Sequence, residues 1–430
     1  MFVTSMYSSH SQANKDCSLK RFSIESLWLF LFVFSFFYEL PLIKLPFDRI
    51  SPRLQDFVFL FGIILYGKSL FATEKNLIYK KWSRIVGWFL CCSILSCIIL
   101  LGEAYRLFSL LAALKYVEGL FIIKIALSVK KDNGIILYAA FWGLILDSLY
   151  CVYQLNNPQY IEKDNGVLAL APLSGPLSSS YFEISQLIPL AAVLILALLV
   201  QSEKPRIMKI VMGTITILNC WPLLFTGSRT GLFLGAISLL SFVILNKSKL
   251  AVPIVVAAAA ATMIAIDKEW EDSELYTISR AIDLEEEEKD SIDERVGVAT
   301  GFDFKRYDNA LSIPFIGAGF DVAPVNGVAR VDYGIHSMYL YPLEQAGIIG
   351  LFLFFSFLLS TFKLLNRRRK DDVLSRAAFS YLVAMLIVGI GAHNFWREFS
   401  SGNVNTFIIF VFCLAIQLYD REKATSLACE

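Results

Sequence analysis

Long apolar blocks, separated by short polar connections, recur along nearly the whole chain. Their apolar residues are continuous rather than confined to one helical face. A helix needs roughly 20 apolar residues to cross a bilayer, and we interpret twelve blocks as spans. The predicted spans cover residues 24–44, 54–72, 83–101, 106–128, 134–155, 183–201, 207–226, 229–246, 249–266, 337–364, 375–393 and 403–419. The pattern predicts an all-α, polytopic membrane protein.

Lysine and arginine are concentrated in alternate connections between these spans. If the N-terminus is inside, the inner connections carry Lys75, Lys80, Lys81, Arg84, Lys130, Lys131, Lys204, Arg206, Lys209, Lys247, Lys249, Lys363, Arg367, Arg368, Arg369, Lys370, Arg376, Arg421 and Lys423. The short outer connections carry chiefly Lys44, Arg49, Arg53, Arg106, Arg229 and Arg397. The positive-inside rule then predicts that both termini are cytoplasmic.

Composition agrees with a membrane protein. The hydrophobic share is 56% and the charged share is 18%, whereas soluble domains have about 45–50% apolar and about 25% charged residues. The net charge of +1 identifies no partner. We expect the polar stretch 1–21 to precede an uncleaved first span. The cysteines lie in apolar blocks or polar tails, so they suggest neither a disulfide framework nor a metal cluster.

The connections divide the predicted protein into three regions. Residues 1–266 form spans one to nine, residues 267–335 form a large periplasmic loop, and residues 336–430 form spans ten to twelve and a cytoplasmic tail. The loop carries an acidic run at 283–290, most simply interpreted as a solvated helix face. Long loops without a role are uncommon, so we expect this one to pack as a lid of short helices.

His336 opens span ten at the junction between the large loop and an apolar run. It is one of only three histidines in the chain, and an imidazole can exchange a proton near neutral pH. Tyr339, Leu340 and Leu343 follow it on one helical face. The alternative is an interfacial histidine that only hydrogen-bonds a loop. His393, near the outer end of span eleven, resembles an interface anchor.

Arg229 lies in the sequence T-G-S-R-T-G at 226–231, between spans seven and eight. Gly227 permits a tight turn, and we predict that Ser228 caps a helix starting at Arg229. A guanidinium group and helix N-terminal amides both attract phosphate oxygens. The alternative is an arginine that reaches outward to lipid headgroups.

Further candidate residues lie in the loop and in the spans. The loop cations are Arg295, Lys305, Arg306 and Arg330, and the charges in or near spans are Lys115, Glu118, Asp147 and Glu183. Lys115 and Glu118 can pair on one helical face, with Asp147 as a further partner. Glu183 begins span six on the outer side, where it can share a cavity with His336. Gly317 and Gly319 indicate a tight backbone turn rather than a nucleotide fingerprint.

The available chemistry is therefore a set of cations and one imidazole. The sequence has no Walker motif, no metal-ligand cluster, and no D-x-D motif in an outer loop before the second span. Such a set suits a substrate whose leaving group is already activated and anionic, for example a lipid-linked pyrophosphate. No cofactor, metal or nucleic-acid partner is expected.

Two motifs together resemble a known family. G-S-R-T-G at 227–231, and I-P-F-I-G-A-G-F followed by H-S-M-Y-L and E-Q-A-G-I-I-G within 313–350, are similar to the O-antigen ligase and Wzy-type O-antigen polymerase superfamily. The resemblance is strongest from about 180 to 365. It implies an enzyme of lipopolysaccharide or surface-polysaccharide biosynthesis in the bacterial inner membrane, with its active site facing the periplasm. That enzyme would transfer a glycan, metal-independently and with inversion, from an undecaprenyl-pyrophosphate-linked donor. The acceptor would be a lipid A core or a lipid-linked glycan.

The resemblance also implies residue roles. His336 matches the family histidine that acts as general base or positions the acceptor. Arg229 matches the arginine that binds donor phosphates, and Arg295 or Arg306 matches the arginine before the P-x-x-G-x-G turn. Glu183, Tyr339 and Arg330 are candidates for the acceptor side or the cavity. Ser337 stands where the family often has asparagine. Ligase and polymerase are not distinguished.

A polysaccharide flippase or another 12-span transporter is the alternative function. Major-facilitator carriers consist of two related six-span halves, for which we expect a long inner linker. Here the inner connection between spans six and seven is only residues 202–206, and the longest loop is on the outer side. This asymmetry favours the transferase.

Overall fold

The computed structural model of the chain describes residues 23–38, 53–71, 77–100, 117–129, 132–157, 160–162, 168–170, 181–226, 228–246, 317, 338–339, 341–389 and 403–417. These residues are predominantly helical. A short hairpin, which the sequence pattern did not predict, joins strands β1 (Tyr160–Glu162) and β2 (Leu168–Leu170) in antiparallel register.

Helices occupy eleven of the twelve predicted apolar blocks, and the ninth block, 249–266, lies outside the described residues. The helices are α1 (Ile24–Ser35), α2 (Leu54–Phe71), α3 (Leu77–Leu100), α4 (117–128), α5 (Asn133–Asn156), α6 (Tyr181–Gln201), α7 (Arg206–Leu218), α8 (Arg229–Asn246), α9 (Tyr341–Arg368), α10 (Val373–Val388) and α11 (Asn403–Ile416). A 3-10 turn (Trp221–Leu224) follows α7.

Four helical segments within the described part are long and apolar enough to cross a membrane. They are Asn133–Asn156, Ile184–Gln201, Arg206–Leu224 and Gln345–Arg368. Several helices also turn large apolar side chains outward, among them Ile64, Ile207 and Phe352. Soluble proteins avoid large exposed apolar surfaces, whereas lipid tails cover them without penalty. The protein is therefore embedded in a membrane.

Helix α6 is the centre of the bundle. Its side chains from Ile184 to Leu199 are nearly all buried, on every side of the helix. A helix that is apolar all round belongs in a protein interior or a membrane. Helices α5, α7, α8 and α10 pack around it.

The contacts of α6 fix the directions of its neighbours. A Cβ atom added at Gly231 of α8 would lie 2.4 Å from the Cβ of Ser185, and one added at Gly235 would lie 3.6 Å from Pro189. The later residue of α8 contacts the later residue of α6, so α6 and α8 are parallel. Helix α10 is antiparallel to both. Its Tyr381 hydroxyl donates to the Gln186 carbonyl at 3.2 Å, and its first turns pack in a cluster with the C-terminal half of α6.

The outer helices also pack as antiparallel pairs. The Trp82 indole of α3 donates to the Ser360 hydroxyl of α9 at 3.0 Å. Further along α3, a Cβ added at Gly350 of α9 would lie 3.2 Å from the Phe89 ring. The contacts move forward along α3 and backward along α9, so these helices are antiparallel. Helices α1 and α11 are also antiparallel, because Phe36 packs on Phe407 and Phe32 packs on Phe410.

These pairings place one set of helix termini at the same end of the bundle, which we call the basic end. It holds the N-termini of α3, α5, α7 and α10 and the C-termini of α4, α6, α9 and α11. Asn133 donates to Gln201 at 3.1 Å, and Gln417 donates to the carbonyl of Leu127 at 3.1 Å. The cations at these helix ends are Lys80, Lys81, Lys204, Arg206, Lys209, Arg367, Arg368, Arg369, Lys370 and Arg376. Connections that the sequence analysis assigned to one side of the membrane thus meet at one end of the bundle.

Candidate functional site at the glycine end

The opposite end of the bundle, which we call the glycine end, contains Gly231, Gly317, Gly347 and Gly389. Among the predicted site residues, the structure describes the helix positions of Arg229 and Glu183 and the contacts of Tyr339. His336, Arg295, Arg306 and Arg330 lie outside the described residues, as does most of the predicted loop 267–335.

The predicted cap of α8 is confirmed. Helix α8 begins at Arg229, and the Ser228 hydroxyl accepts a hydrogen bond from the Gly231 amide at 3.1 Å. Ser228 in turn donates its own amide to the Thr226 hydroxyl at 3.3 Å. Both side chains are buried. The segment before Arg229 is therefore held by side-chain bonds inside the bundle, and Arg229 occupies the first position of a capped helix.

Gly231 brings the first turns of α6 and α8 together. The Cβ of any other residue there would lie 2.4 Å from the Ser185 Cβ and 3.0 Å from the Ser185 carbonyl oxygen. Glu183 precedes Ser185 by two residues, and Arg229 precedes Gly231 by two. Because the helices are parallel, these two predicted site residues lie in adjoining N-terminal turns.

The chain just after His336 packs on the C-terminal end of α10. The Met338 amide donates to the Gly389 carbonyl at 2.9 Å, and a Cβ added at Gly389 would lie 2.7 Å from the Met338 side chain. Since α10 is antiparallel to α6 and α8, its C-terminal end lies beside their N-terminal ends. The segment that carries the histidine motif and the turn that carries Arg229 are therefore at the same end of the bundle.

The prediction that Tyr339 shares a helical face with Leu343 is wrong. Residues 338–339 form a turn, and α9 begins only at Tyr341. The Tyr339 hydroxyl donates to the Leu386 carbonyl of α10, and its ring stacks on Phe355 with the ring centroids 5.8 Å apart. Tertiary contacts with α10 thus hold this segment in a turn, and Pro342 suits the first turn of the helix that follows.

Gly317 joins the two halves of the second motif. Its φ of 81° lies in the left-handed region that favours glycine, and the rest of the predicted turn, including Gly319, lies outside the described residues. A Cβ at Gly317 would lie 2.5 Å from the Ala346 backbone nitrogen and 2.6 Å from the Gln345 carbonyl oxygen. Gly317 therefore meets the E-Q-A-G sequence, which begins 27 positions later at Glu344, backbone to backbone.

Helix α9 is broken where Gly317 touches it. Ala346 has φ −135° and ψ 19°, and Gly347 has φ 63° and ψ −161°. A break removes backbone groups from the regular helical hydrogen-bond pattern. Broken helices of membrane transporters place such groups at ligand sites, which makes this break a candidate for ligand contact.

Among the described residues of the predicted spans, two charged side chains are buried. Asp147 of α5 is fully buried, and neither carboxylate oxygen has a hydrogen-bond partner in the described part of the chain. Its expected partner Lys115 lies outside the described residues. Lys124 of α4, which the sequence analysis missed, is 6% exposed and lies 5.4 Å from the Tyr79 ring centroid. Its position within the apolar block 106–128 was the available signal.

The described residues contain no group of three or more His, Cys, Asp or Glu side chains that could hold a metal ion. No protein-family model matches the chain. No curated protein matches it with significance.

Proposed function

We propose that the protein transfers a glycan from a polyprenyl-pyrophosphate-linked donor to an acceptor hydroxyl at the periplasmic face of the bacterial inner membrane. The proposal includes twelve spans, cytoplasmic termini and a large periplasmic loop between spans nine and ten. It takes the chain to be an O-antigen ligase or a surface-polysaccharide polymerase that works without a metal.

One observation carries the proposal: the N-terminus of α8, with Arg229, and the chain next to His336 lie at the same end of the bundle, opposite the basic end. Only Ser337 separates His336 from Met338, and a chain extends at most about 3.6 Å per residue. An anion-attracting turn and an imidazole can therefore serve one cavity. The basic end would face the cytoplasm, in accord with the positive-inside rule.

The reaction we propose forms a bond between the acceptor oxygen and the anomeric carbon of the donor. The bond from that carbon to the pyrophosphate oxygen breaks, and the lipid pyrophosphate leaves with the electron pair. Arg229, with Arg295 or Arg306, stabilises the growing charge on the pyrophosphate. His336 takes the proton of the attacking hydroxyl or positions that hydroxyl. Attack from the opposite face inverts the anomeric centre, and exclusion of water favours transfer over hydrolysis.

The test is transfer by purified protein in lipid nanodiscs, with a synthetic polyprenyl-pyrophosphate glycan as donor. Loss of a general base costs about 10²–10⁴-fold in rate, so His336→Ala should reduce product by at least about 100-fold. His393→Ala is the matched control and should retain activity, because His393 is expected only to anchor the interface.

The same assay separates the enzyme from the alternative. A flippase or other 12-span transporter would move the lipid-linked glycan across the bilayer of proteoliposomes and form no new glycosidic bond. Unchanged transfer by His336→Ala, at equal protein level, would contradict the catalytic role of His336. Absence of transfer by the wild-type protein with both acceptor classes would contradict the transferase.

A further inference from the structure

Asp147 and Gln186 have unused acceptor oxygens in the interior of the bundle. Asp147 is fully buried and Gln186 is 1% exposed. Both carboxylate oxygens of Asp147 and the side-chain oxygen Oε1 of Gln186 have no hydrogen-bond partner among the residues that the structure describes. Buried polar atoms without a hydrogen-bond partner are costly, and these oxygens are available to a bound ligand.

The two side chains are on packed helices at the same depth. The bond from Asn133 to Gln201 pairs the N-terminus of α5 with the C-terminus of α6. Asp147 is 14 positions along α5 from Asn133, and Gln186 is 15 positions back along α6 from Gln201. At 1.5 Å per residue both lie roughly 21–23 Å from the basic end. The unused oxygens therefore belong to one polar layer.

Irregular backbone adjoins this layer. The Trp221 indole of the 3-10 turn donates to the hydroxyl of Ser148, the residue after Asp147, at 2.6 Å. The turn is also close to α8, because a Cβ added at Gly235 would lie 3.5 Å from Leu223. Non-helical chain at membrane depth is tolerated where it is buried in protein or lines a polar cavity.

We propose that Asp147 and Gln186 form an intramembrane site for a small monovalent cation, either Na⁺ or a proton. Carboxylate and amide oxygens are the ligands that hard cations prefer. In membrane transporters, carboxylates near the bilayer midplane serve Na⁺ and H⁺. The site does not depend on the proposed glycan transfer, and it would serve a transferase or a transporter equally.

The first experiment measures the melting temperature of the purified full-length protein while NaCl replaces choline chloride at constant ionic strength. A ligand that binds only the folded state raises the melting temperature with its concentration. We expect a shift of a few degrees in the wild type and none in Asp147→Asn. Asp371→Asn, which changes an exposed carboxylate between α9 and α10, is the matched control and should keep the wild-type shift.

The second experiment separates the two cations. A hydrophobic carbodiimide modifies protonated carboxyl groups in apolar surroundings, and mass spectrometry locates the adduct. Adduct at Asp147 that NaCl suppresses supports sodium. Adduct that NaCl does not suppress, without a thermal shift, supports a proton. Absence of both the shift and the adduct overturns the proposal, as does a Na⁺ shift that Asp147→Asn leaves unchanged.

Discussion

The two ends of the helix bundle are held together in different ways. At the basic end, polar side chains connect helix termini: Asp372 accepts from the Ser375 amide at 2.9 Å, and the Ser375 hydroxyl donates to the Ala415 carbonyl at 2.8 Å. At the glycine end, backbone segments approach so closely that a Cβ would not fit, as at Gly231, Gly317 and Gly389. The first end is a hydrogen-bonded frame, and the second is a set of close backbone contacts.

This difference indicates where a ligand can bind. Side-chain bonds at the basic end occupy many of the polar groups there. The close contacts at the glycine end involve a helix N-terminus, a broken helix and a turn, whose backbone groups can serve a ligand. We therefore expect changes at the glycine end to affect transfer and stability together, and changes at the basic end to affect stability alone.

The largest effect is expected from Gly317→Ala. The left-handed φ of 81° disfavours any residue with a Cβ, and the Ala346 backbone lies 2.5 Å from the position of that atom. Strain and overpacking together should cost about 3 kcal/mol. Thermal unfolding in detergent and the transfer assay should both show the loss. Gly67→Ala, where a Cβ meets open space in α2, should not destabilise the protein.

Gly231→Val should have the next largest effect. Its Cβ would collide with the Cβ and backbone of Ser185, which cannot move without shifting α6. Overpacking of this kind costs about 1–3 kcal/mol, and transfer should fall because the turns of Glu183 and Arg229 separate. Gly213→Ala is the control, since its nearest neighbour would be 3.8 Å away. Equal melting temperatures for the two variants would contradict the α6–α8 contact.

Ser228→Ala removes the cap of α8 and should cost about 1 kcal/mol of stability. Transfer should decrease as well, because the cap fixes the turn from which Arg229 projects. Ser228→Thr keeps a hydroxyl acceptor and should restore much of both properties. Normal transfer by Ser228→Ala, measured at saturating donor, would show that the reaction does not depend on the position of Arg229.

Asp372→Ala removes the equivalent cap of α10 at the basic end. The loss of stability should again be about 1 kcal/mol, and Asp372→Asn should retain most of the cap. Transfer per folded molecule should stay at the wild-type level, since no proposed site residue lies at this end. A fall in transfer larger than the loss of folded protein would refute the functional difference between the ends.

Sequence reasoning predicted the helical blocks and the Ser228 cap, because both depend on residues close together in the chain. It placed Tyr339 in a helix and overlooked Pro342. Proline interrupts a helix interior but suits a first turn, and the helix begins at Tyr341. The bonds from Met338 and Tyr339 to α10 hold a turn instead. It also offered Asp147 a partner within the membrane, Lys115, which lies outside the described residues, so this pairing stays a prediction.

The sequence by itself determined that the chain forms apolar helices, where most of them begin, and which connections carry the positive charge. Hydrophobicity could not reveal which helix is central, because lipid and protein interior accept the same apolar side chains. Helices α6 and α7 are both apolar, yet α6 is buried and α7 turns Ile207 and Leu218 outward. Only the tertiary structure decided this, since burial depends on neighbours distant in sequence. It likewise brought Gly317 to the break in α9 and the Arg229 turn to the end where the histidine motif begins.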